Sequence, residues 1–108
     1  MRVRRPRILI VDDEELLRLW LGDQLRSANY EVFLAGSRQE ALRLAAQEAP
    51  AVVLLDLKLP DAKGLEALEQ LRRLDREMVV IIMTAFGEVE TAVEAVKAGA
   101  YQFLQKPL

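Results

Sequence analysis

Three short and almost uninterrupted apolar runs constrain the fold of this chain more than any other feature of its sequence. They lack the polar alternation of a half-buried strand and contain several β-branched residues, so each run predicts a strand buried on both faces, as in a parallel sheet. Two further runs keep some alternation and predict strands nearer an edge. The continuous runs occupy residues 8–11, 52–55 and 79–83, and the weaker ones residues 30–34 and 101–104.

Amphipathic segments separate these runs and predict four helices. In the first, Leu17, Leu21 and Leu25 recur at helical spacing, and Asn29 is placed to take the left-handed conformation that ends a helix. Gly22 lies inside this helix, where it costs about 1 kcal/mol relative to alanine, and nothing in the sequence explains it.

The remaining helices are indicated by caps and by apolar spacing. Ser37 and Glu40 have the spacing of a capping box at the start of the second helix. The third and fourth helices are predicted from Leu65, Leu68 and Leu71 or Leu74, and from Ala92, Val93 and Val96 closed by Gly99.

The order of strand and helix, repeated four times and followed by a fifth strand, predicts a doubly wound α/β domain with right-handed crossovers.

Composition limits the chemistry that this chain can perform. Its 108 residues suit one small domain, residues 1–108, and a net charge of -2 offers no positive field for direct contact with nucleic acid. No apolar run reaches the length of a signal segment or a membrane span, so we expect a cytoplasmic protein without membrane contact. The absence of histidine and cysteine excludes Ser-His-Asp catalysis, thiolate chemistry and the usual zinc sites. Carboxylates, hydroxyls and lysine must carry any reaction.

Polar residues of these kinds follow four of the predicted strands. Asp12 and Asp13 follow the first, Asp56 the third, Thr84 the fourth and Lys106 the fifth. Each alone has a simpler explanation, such as helix capping or solvation. Together they lie where doubly wound sheets bind ligands, beyond the carboxyl ends of the strands.

The three aspartates predict a metal site if the first and third strands are neighbours. Two carboxylates about 4 Å apart repel by about 4 kcal/mol at an effective dielectric of about 20. Lys106 offsets part of this repulsion, and Mg²⁺ suits the rest because it keeps open positions for an incoming phosphoryl group. Asp56 would then attack phosphorus to form an aspartyl phosphate, while Thr84 and Lys106 bind the phosphoryl oxygens.

These residues resemble the receiver domains of two-component response regulators over nearly the whole chain. The shared motifs are IVDDE at residues 10–14, LLDLKLP at 54–60 followed by Gly64, MTA at 83–85 and KP at 106–107. The segment 84–107 is most similar to receivers of the nitrogen-regulation type, which precede a sigma54-activating ATPase and a DNA-binding domain.

The resemblance implies a flavodoxin-like fold with strand order 2-1-3-4-5 and Asp56 as the phosphorylation site. It also implies Mg²⁺ held by Asp13, Asp56 and the backbone carbonyl of Lys58, with Asp12 acting through water. A cis bond before Pro107 would direct the preceding lysine toward the site.

The resemblance further implies a signalling switch rather than an enzyme. A sensor histidine kinase donates the phosphoryl group, and the domain assists its own phosphorylation and dephosphorylation. Thr84 then moves, the ring of Tyr101 turns inward behind it, and the surface of the fourth helix and fifth strand changes, with homodimerisation through that surface as one outcome. The expected output is transcription control.

One departure from the family concerns the end of the chain. Receivers carry a fifth helix after the Lys-Pro pair, whereas this sequence stops at Leu108. We therefore expect either a chain truncated before that helix, with the apolar sides of Tyr101 and Phe103 left open, or a partner that covers the gap.

Three alternatives remain at the level of sequence. A phosphorylation-independent interaction module could use the same scaffold. A haloacid-dehalogenase-type phosphatase also uses Asp and Mg²⁺, but it needs a second acid where this chain has Lys58. A flavodoxin-like cofactor binder would place a phosphate against Asp12 and Asp13, which would repel it.

Overall fold

The computed structural model describes residues 5–63, 65–85 and 88–107, so Gly64 lies outside the described residues. In these residues five parallel strands form one sheet in the order β2-β1-β3-β4-β5, with four helices between them. The predicted α/β fold and the strand order 2-1-3-4-5 are confirmed. The elements are β1 (Arg7–Val11), α1 (Glu15–Ser27), β2 (Glu31–Ala35), α2 (Arg38–Glu48), β3 (Val52–Asp56), α3 (Glu66–Leu74), β4 (Val79–Thr84), α4 (Val89–Lys97) and β5 (Gln102–Gln105).

The central strands are buried on both faces, as their continuous apolar sequences predict. Side chains of β1, β3 and β4 alternate between two cores, one against α2, α3 and α4 and the other against α1. Leu9 and Leu55 contribute to the first core and Ile10 to the second, each with no exposed surface. Burying a side chain of this size stabilises the fold by about 1.5 to 3 kcal/mol. Among the described helices, none has the length and apolar content needed to cross a membrane.

Gly22 has a packing role that the sequence did not reveal. A Cβ atom at this position would lie 3.2 Å from Leu34 Cδ2, so the glycine lets α1 approach β2 closely. Helix α1 then ends as predicted, because Asn29 takes a left-handed conformation with φ of 74°.

The start of α2 contains the predicted cap with one difference. Ser37 Oγ accepts a hydrogen bond from the Glu40 amide at 3.2 Å, as a capping box requires. The Glu40 carboxylate instead accepts from the amide of Gly36 at 2.9 Å, one residue earlier than the capping-box pattern.

The buried faces of α3 and α4 differ in how well the apolar spacing predicts them. Leu68 and Leu71 are buried on α3, whereas Leu74 is half-exposed. On α4, Val93 and Val96, whose spacing helped to predict the helix, do not face the core but are exposed. The helix packs through Ala92 and Ala95, which have no exposed surface.

The edge strand β5 leaves part of its apolar surface exposed. Tyr101 directly precedes the strand and is 71% exposed, and Leu104 is also exposed. Phe103 was predicted to lie open, which is wrong. It pairs in register with Ile82 and packs against the core that α2, α3 and α4 cover.

Helix α1 also presents large apolar side chains to solvent. Leu16, Leu19 and Trp20 are exposed on this helix, with Trp20 at 49%. The face is separate from the residues that pack against the sheet, which include Leu21.

Candidate functional site

The register of the sheet brings the predicted polar residues to one edge. Val11 pairs with Leu55, so Asp12 and Asp56, the residues that follow them, lie side by side at the ends of β1 and β3. Thr84 pairs with Gln105, which places Lys106 next to the end of β4. The strand-end residues predicted from sequence are therefore neighbours in space.

Three carboxylates meet at the centre of this edge. Asp12, Asp13 and Asp56 each offer one oxygen, and these atoms all lie within 4.8 Å of one another. Asp12 has no exposed surface, Asp56 is buried, and Asp13 is exposed. The cluster therefore opens to solvent at Asp13.

Lys106 provides the positive charge beside this cluster. Its Nζ donates a hydrogen bond to Asp56 Oδ2 at 3.0 Å and lies 2.8 Å from Asp12 Oδ2. The contact with Asp12 is an ion pair without hydrogen-bond geometry, so Asp12 Oδ2 is buried with no hydrogen-bond partner among the described residues. The Lys106–Pro107 peptide bond is cis, the isomer that the resemblance implies.

Burial and charge change the pKa values of this pair. Burial raises the pKa of Asp56 above its ordinary value, although the Lys58 amide and the Lys106 ammonium act in the opposite direction. Desolvation lowers the pKa of Lys106, but its contacts with Asp12 and Asp56 outweigh that effect, and the net pKa is raised. Lys106 therefore carries its charge at neutral pH.

The donor set fits a hard divalent cation. Converging carboxylate oxygens are the ligands that Mg²⁺ prefers, and Asp12 Oδ2, in the buried part of the cluster, has the ion pair with Lys106 but accepts no hydrogen bond from the described residues. One ammonium does not balance three carboxylates. The residues present could therefore hold Mg²⁺.

The loop after β3 orients Asp56. The Lys58 amide donates to Asp56 Oδ1 at 2.9 Å, so both oxygens of Asp56 have fixed partners. The Lys58 side chain forms an ion pair with Glu88, at the start of α4, and this pair raises the pKa of Lys58.

Neither Thr84 nor Tyr101 is turned toward the carboxylates in this structure. The buried Thr84 hydroxyl lies 3.1 Å from the carbonyl oxygen of Ala85 and 3.4 Å from that of Glu88, so its proton is donated within the β4–α4 connection. Tyr101 is mostly in solvent. An inward rotation of either residue would require a change from this arrangement.

Sequence reasoning missed a contact that fixes the β1–α1 connection. Arg18 donates from its guanidinium to the backbone carbonyl of Asp12 at 2.6 Å. The residue lies on the first helix, where a charged side chain is ordinarily solvated, and no short-range pattern distinguishes it.

With this geometry established, the family can be assigned. The model of the response regulator receiver domain matches residues 8–108. The chain belongs to this family. Receiver domains serve two-component response regulators as signalling domains rather than as ordinary enzymes.

Individual relatives agree with this assignment. The receiver is 43% identical over 101 residues to the regulatory protein AtoC of Escherichia coli, and the match covers 94% of this chain and 22% of AtoC. It is 38% identical to the sporulation initiation phosphotransferase F of Bacillus subtilis, covering 94% of this chain and 82% of that protein. The chain thus spans about a fifth of the length of AtoC.

A solved structure shows the same fold in a related receiver. The receiver domain of NtrX from Brucella abortus superposes with a TM-score of 0.88 at 34% identity, covering 94% of this chain and 86% of that one. AtoC and NtrX among these relatives confirm the narrower resemblance stated above.

Proposed function

We propose that this receiver is a phosphorylation-dependent switch that accepts a phosphoryl group from a sensor histidine kinase onto Asp56. The observation that carries the proposal is the convergence of Asp12, Asp13 and Asp56 within 4.8 Å, with Lys106 hydrogen-bonded to Asp56. A site of this kind combines a nucleophile, a cation and a metal-binding group, as phosphoryl transfer requires.

The chemistry follows from these contacts. A carboxylate oxygen of Asp56 forms a bond to phosphorus while the bond from phosphorus to the donor histidine nitrogen breaks, leaving that nitrogen with the electron pair. Lys106 is placed to neutralise the phosphoryl oxygens. Asp13, Asp56 and the Lys58 carbonyl would hold Mg²⁺, with Asp12 acting through water, and the ion would supply further charge neutralisation. The same residues would assist hydrolysis of the aspartyl phosphate.

The switch would begin with Thr84. Its hydroxyl would leave the carbonyls of Ala85 and Glu88 and turn toward the new phosphoryl oxygens. Tyr101 would then move inward and change the surface of α4 and β5, through which a homodimer could form. Pro107 and Gly64 would have structural roles in the connections around the site.

The output that we propose is transcription control through a sigma54-activator type of regulator, which the identity to AtoC and NtrX supports. The domain boundary at 1–108, the cytoplasmic location and the absence of direct nucleic-acid contact stay predictions.

Mass spectrometry after incubation with acetyl phosphate and Mg²⁺ tests the proposal. The wild type should gain the mass of one phosphoryl group, and Asp56→Asn should gain none. Asp23→Asn, which removes an exposed carboxylate on α1, is the matched control and should react like the wild type. Equal modification of Asp56→Asn and the wild type would contradict the role of Asp56.

Two alternatives to this function can be separated from it. A phosphorylation-independent interaction module would show no modification in any variant. An Asp and Mg²⁺ phosphatase is disfavoured independently of the assay, because a lysine, Lys58, occupies the position of its second acid.

A further inference from the structure

The first turn of α2 is capped by a carboxylate from a different part of the chain. The first amides of a helix have no partners within the helix. Here Asp61 Oδ1 accepts from the Arg38 amide at 2.7 Å, and Asp61 Oδ2 accepts from the Gln39 amide at 3.0 Å. Ser37 caps only the next amide, that of Glu40. The loop after β3 therefore supplies most of the cap.

Arg38 returns this contact with its side chain. Its Nε donates to the Asp61 carbonyl oxygen at 3.1 Å, so three hydrogen bonds join Asp61 to the start of α2. The guanidinium also donates to Gln70 Oε1 at 3.1 Å and lies 3.8 Å from Glu66 Oε1, both on α3. We call the paired residues Arg38 and Asp61 the clamp.

The clamp lies in the same loop that contacts Asp56. Asp61 follows Lys58 by three residues, and the Lys58 amide donates to Asp56 Oδ1. Between them, Leu59 is buried in the core and forms an isolated bridge with Ala62. A short segment fixed at a buried leucine and at the clamp leaves the Lys58 backbone little freedom.

We propose that Asp61 and Arg38 are positioning residues for the phosphoacceptor site, because their clamp holds the Lys58 backbone where it orients the Asp56 carboxylate. The inference rests on the proposed function for its consequence in phosphorylation, but its structural part can be tested without it.

Helix capping alone would not require this arrangement. A side chain at the N-cap position accepts from the second or third amide of its helix, which here are those of Gln39 and Glu40, so capping needs no contact that returns from Arg38 to another loop. A carboxylate that reaches across 22 and 23 positions of sequence, with a guanidinium returning the contact, instead fixes two elements relative to each other. The amides of Arg38 and Gln39 lower the pKa of Asp61, because they stabilise the charged form of its carboxylate.

The experiment compares Asp61→Ala with Ser37→Ala, which removes a cap bond from the same helix but does not touch the loop after β3. Amide hydrogen exchange is measured in the full chain without metal, and Mg²⁺ affinity is then measured by titrating the amide NMR signals. Asp61→Ala should speed exchange of the Lys58 amide by about tenfold and weaken Mg²⁺ binding by a similar factor. Ser37→Ala should leave both unchanged while it lowers overall stability.

Two outcomes would overturn the inference. One is unchanged Lys58 exchange in Asp61→Ala, and the other is an equal effect in Ser37→Ala, since a simple helix cap would produce either. If Asp61→Ala unfolds, Arg38→Gln provides the second test, because it removes the side-chain half of the clamp and keeps the carboxylate on the helix amides. It should speed Lys58 exchange less than tenfold but measurably, and no change would count against the clamp.

Failure of the proposed function would look different. In that case the wild type would not accept a phosphoryl group, yet Lys58 exchange would still respond to Asp61→Ala. The reverse pattern, phosphorylation of Asp56 with no response at Lys58, would reject the clamp and retain the function.

Discussion

Replacing Lys106 should strongly destabilise this domain. Its ammonium lies 3.0 Å from Asp56 Oδ2 and 2.8 Å from Asp12 Oδ2, and both carboxylates are buried. Removing one partner of a buried ion pair leaves an uncompensated charge, so Lys106→Gln should lower the free energy of unfolding by about 3 kcal/mol at neutral pH. Urea unfolding measures the change.

A matched control for this prediction is Lys97→Gln, because Lys97 is exposed in the last turn of α4. It should change stability by less than about 0.5 kcal/mol. The raised pKa of Lys106 means that its contribution is fully present at neutral pH and is lost only as the pH rises through that raised pKa. Equal effects of the two substitutions would contradict the buried pair.

Asp56 should make stability depend on pH in the opposite sense to most surface carboxylates. Because burial raises its pKa, the folded state keeps the proton at a pH where the unfolded state has lost it. Its contribution is complete below the ordinary carboxyl pKa of about 4 and is lost as the pH rises through the raised pKa.

Because asparagine has no ionisable carboxyl group and Lys106 keeps its ion pair with Asp12, the Asp56→Asn variant should be more stable than the wild type at neutral pH in a metal-free buffer. The difference should shrink as the pH falls toward about 4. Urea midpoints at both pH values measure it, with Asp23→Asn as the exposed control. A constant difference across this range would show that burial does not raise the pKa of Asp56.

At the same scale, the sequence identified strand-end residues better than it identified their partners. Asp12, Asp56 and Lys106 could be placed because the ends of parallel strands meet at one edge of a sheet. The acceptor of the Thr84 hydroxyl and the ion-pair partner of Lys58 could not be predicted, because both depend on how the β4–α4 connection places Glu88. The Lys58 ion pair joins residues that are distant in sequence, and the acceptors of the Thr84 hydroxyl, although near in sequence, depend on the conformation of that connection.

Among the elements, α1 offers a sharp test of close packing. A Cβ at Gly22 would lie 3.2 Å from Leu34 Cδ2, a contact that a small shift of the leucine can relieve. Gly22→Ala should therefore change stability by less than about 1 kcal/mol, because the gain in helix propensity is offset by that contact. Gly22→Val should destabilise the domain by about 1 to 3 kcal/mol through overpacking.

Thermal unfolding of both variants checks this prediction. Ser27→Val provides the control, because Ser27 is the exposed last residue of α1. If Gly22→Val caused no loss, the gain in helix propensity over glycine, and not the approach to β2, would govern the effect.

Helix α4 shows why apolar spacing predicts an element better than its orientation. Ala92, Val93 and Val96 have helical spacing, but Ala92 and Ala95 share a face as well. The helix lies on the sheet through the two alanines, and both valines are exposed. Periodicity alone ranks the larger side chains first, whereas burial depends on which face meets the sheet. The same reasoning left Leu71 and Leu74 unresolved on α3.

For the whole molecule, Mg²⁺ should act as a stabilising ligand that joins the ends of β1 and β3. At ten times its dissociation constant it should raise the free energy of unfolding by about 1.4 kcal/mol through mass action. Asp13→Asn removes one of three converging carboxylates and should reduce this gain strongly. Thermal melts with MgCl₂, and with NaCl at matched ionic strength, measure the effect.

The melting temperature of Asp13→Asn without metal distinguishes relief of charge repulsion from the loss of a metal ligand. Without metal, Asp13→Asn should melt at a higher temperature than the wild type because it relieves repulsion within the cluster. A lower melting temperature without metal, or full retention of the Mg²⁺ effect, would contradict the predicted metal site.

The single tryptophan of this chain gives the domain a natural optical probe. About half of the Trp20 surface is in water, on a helix face that also exposes Leu16 and Leu19. Any protein that covers this face must dehydrate the indole ring, which shifts its fluorescence to shorter wavelength and shields it from acrylamide quenching. Association at α1 can therefore be followed in the unlabelled protein.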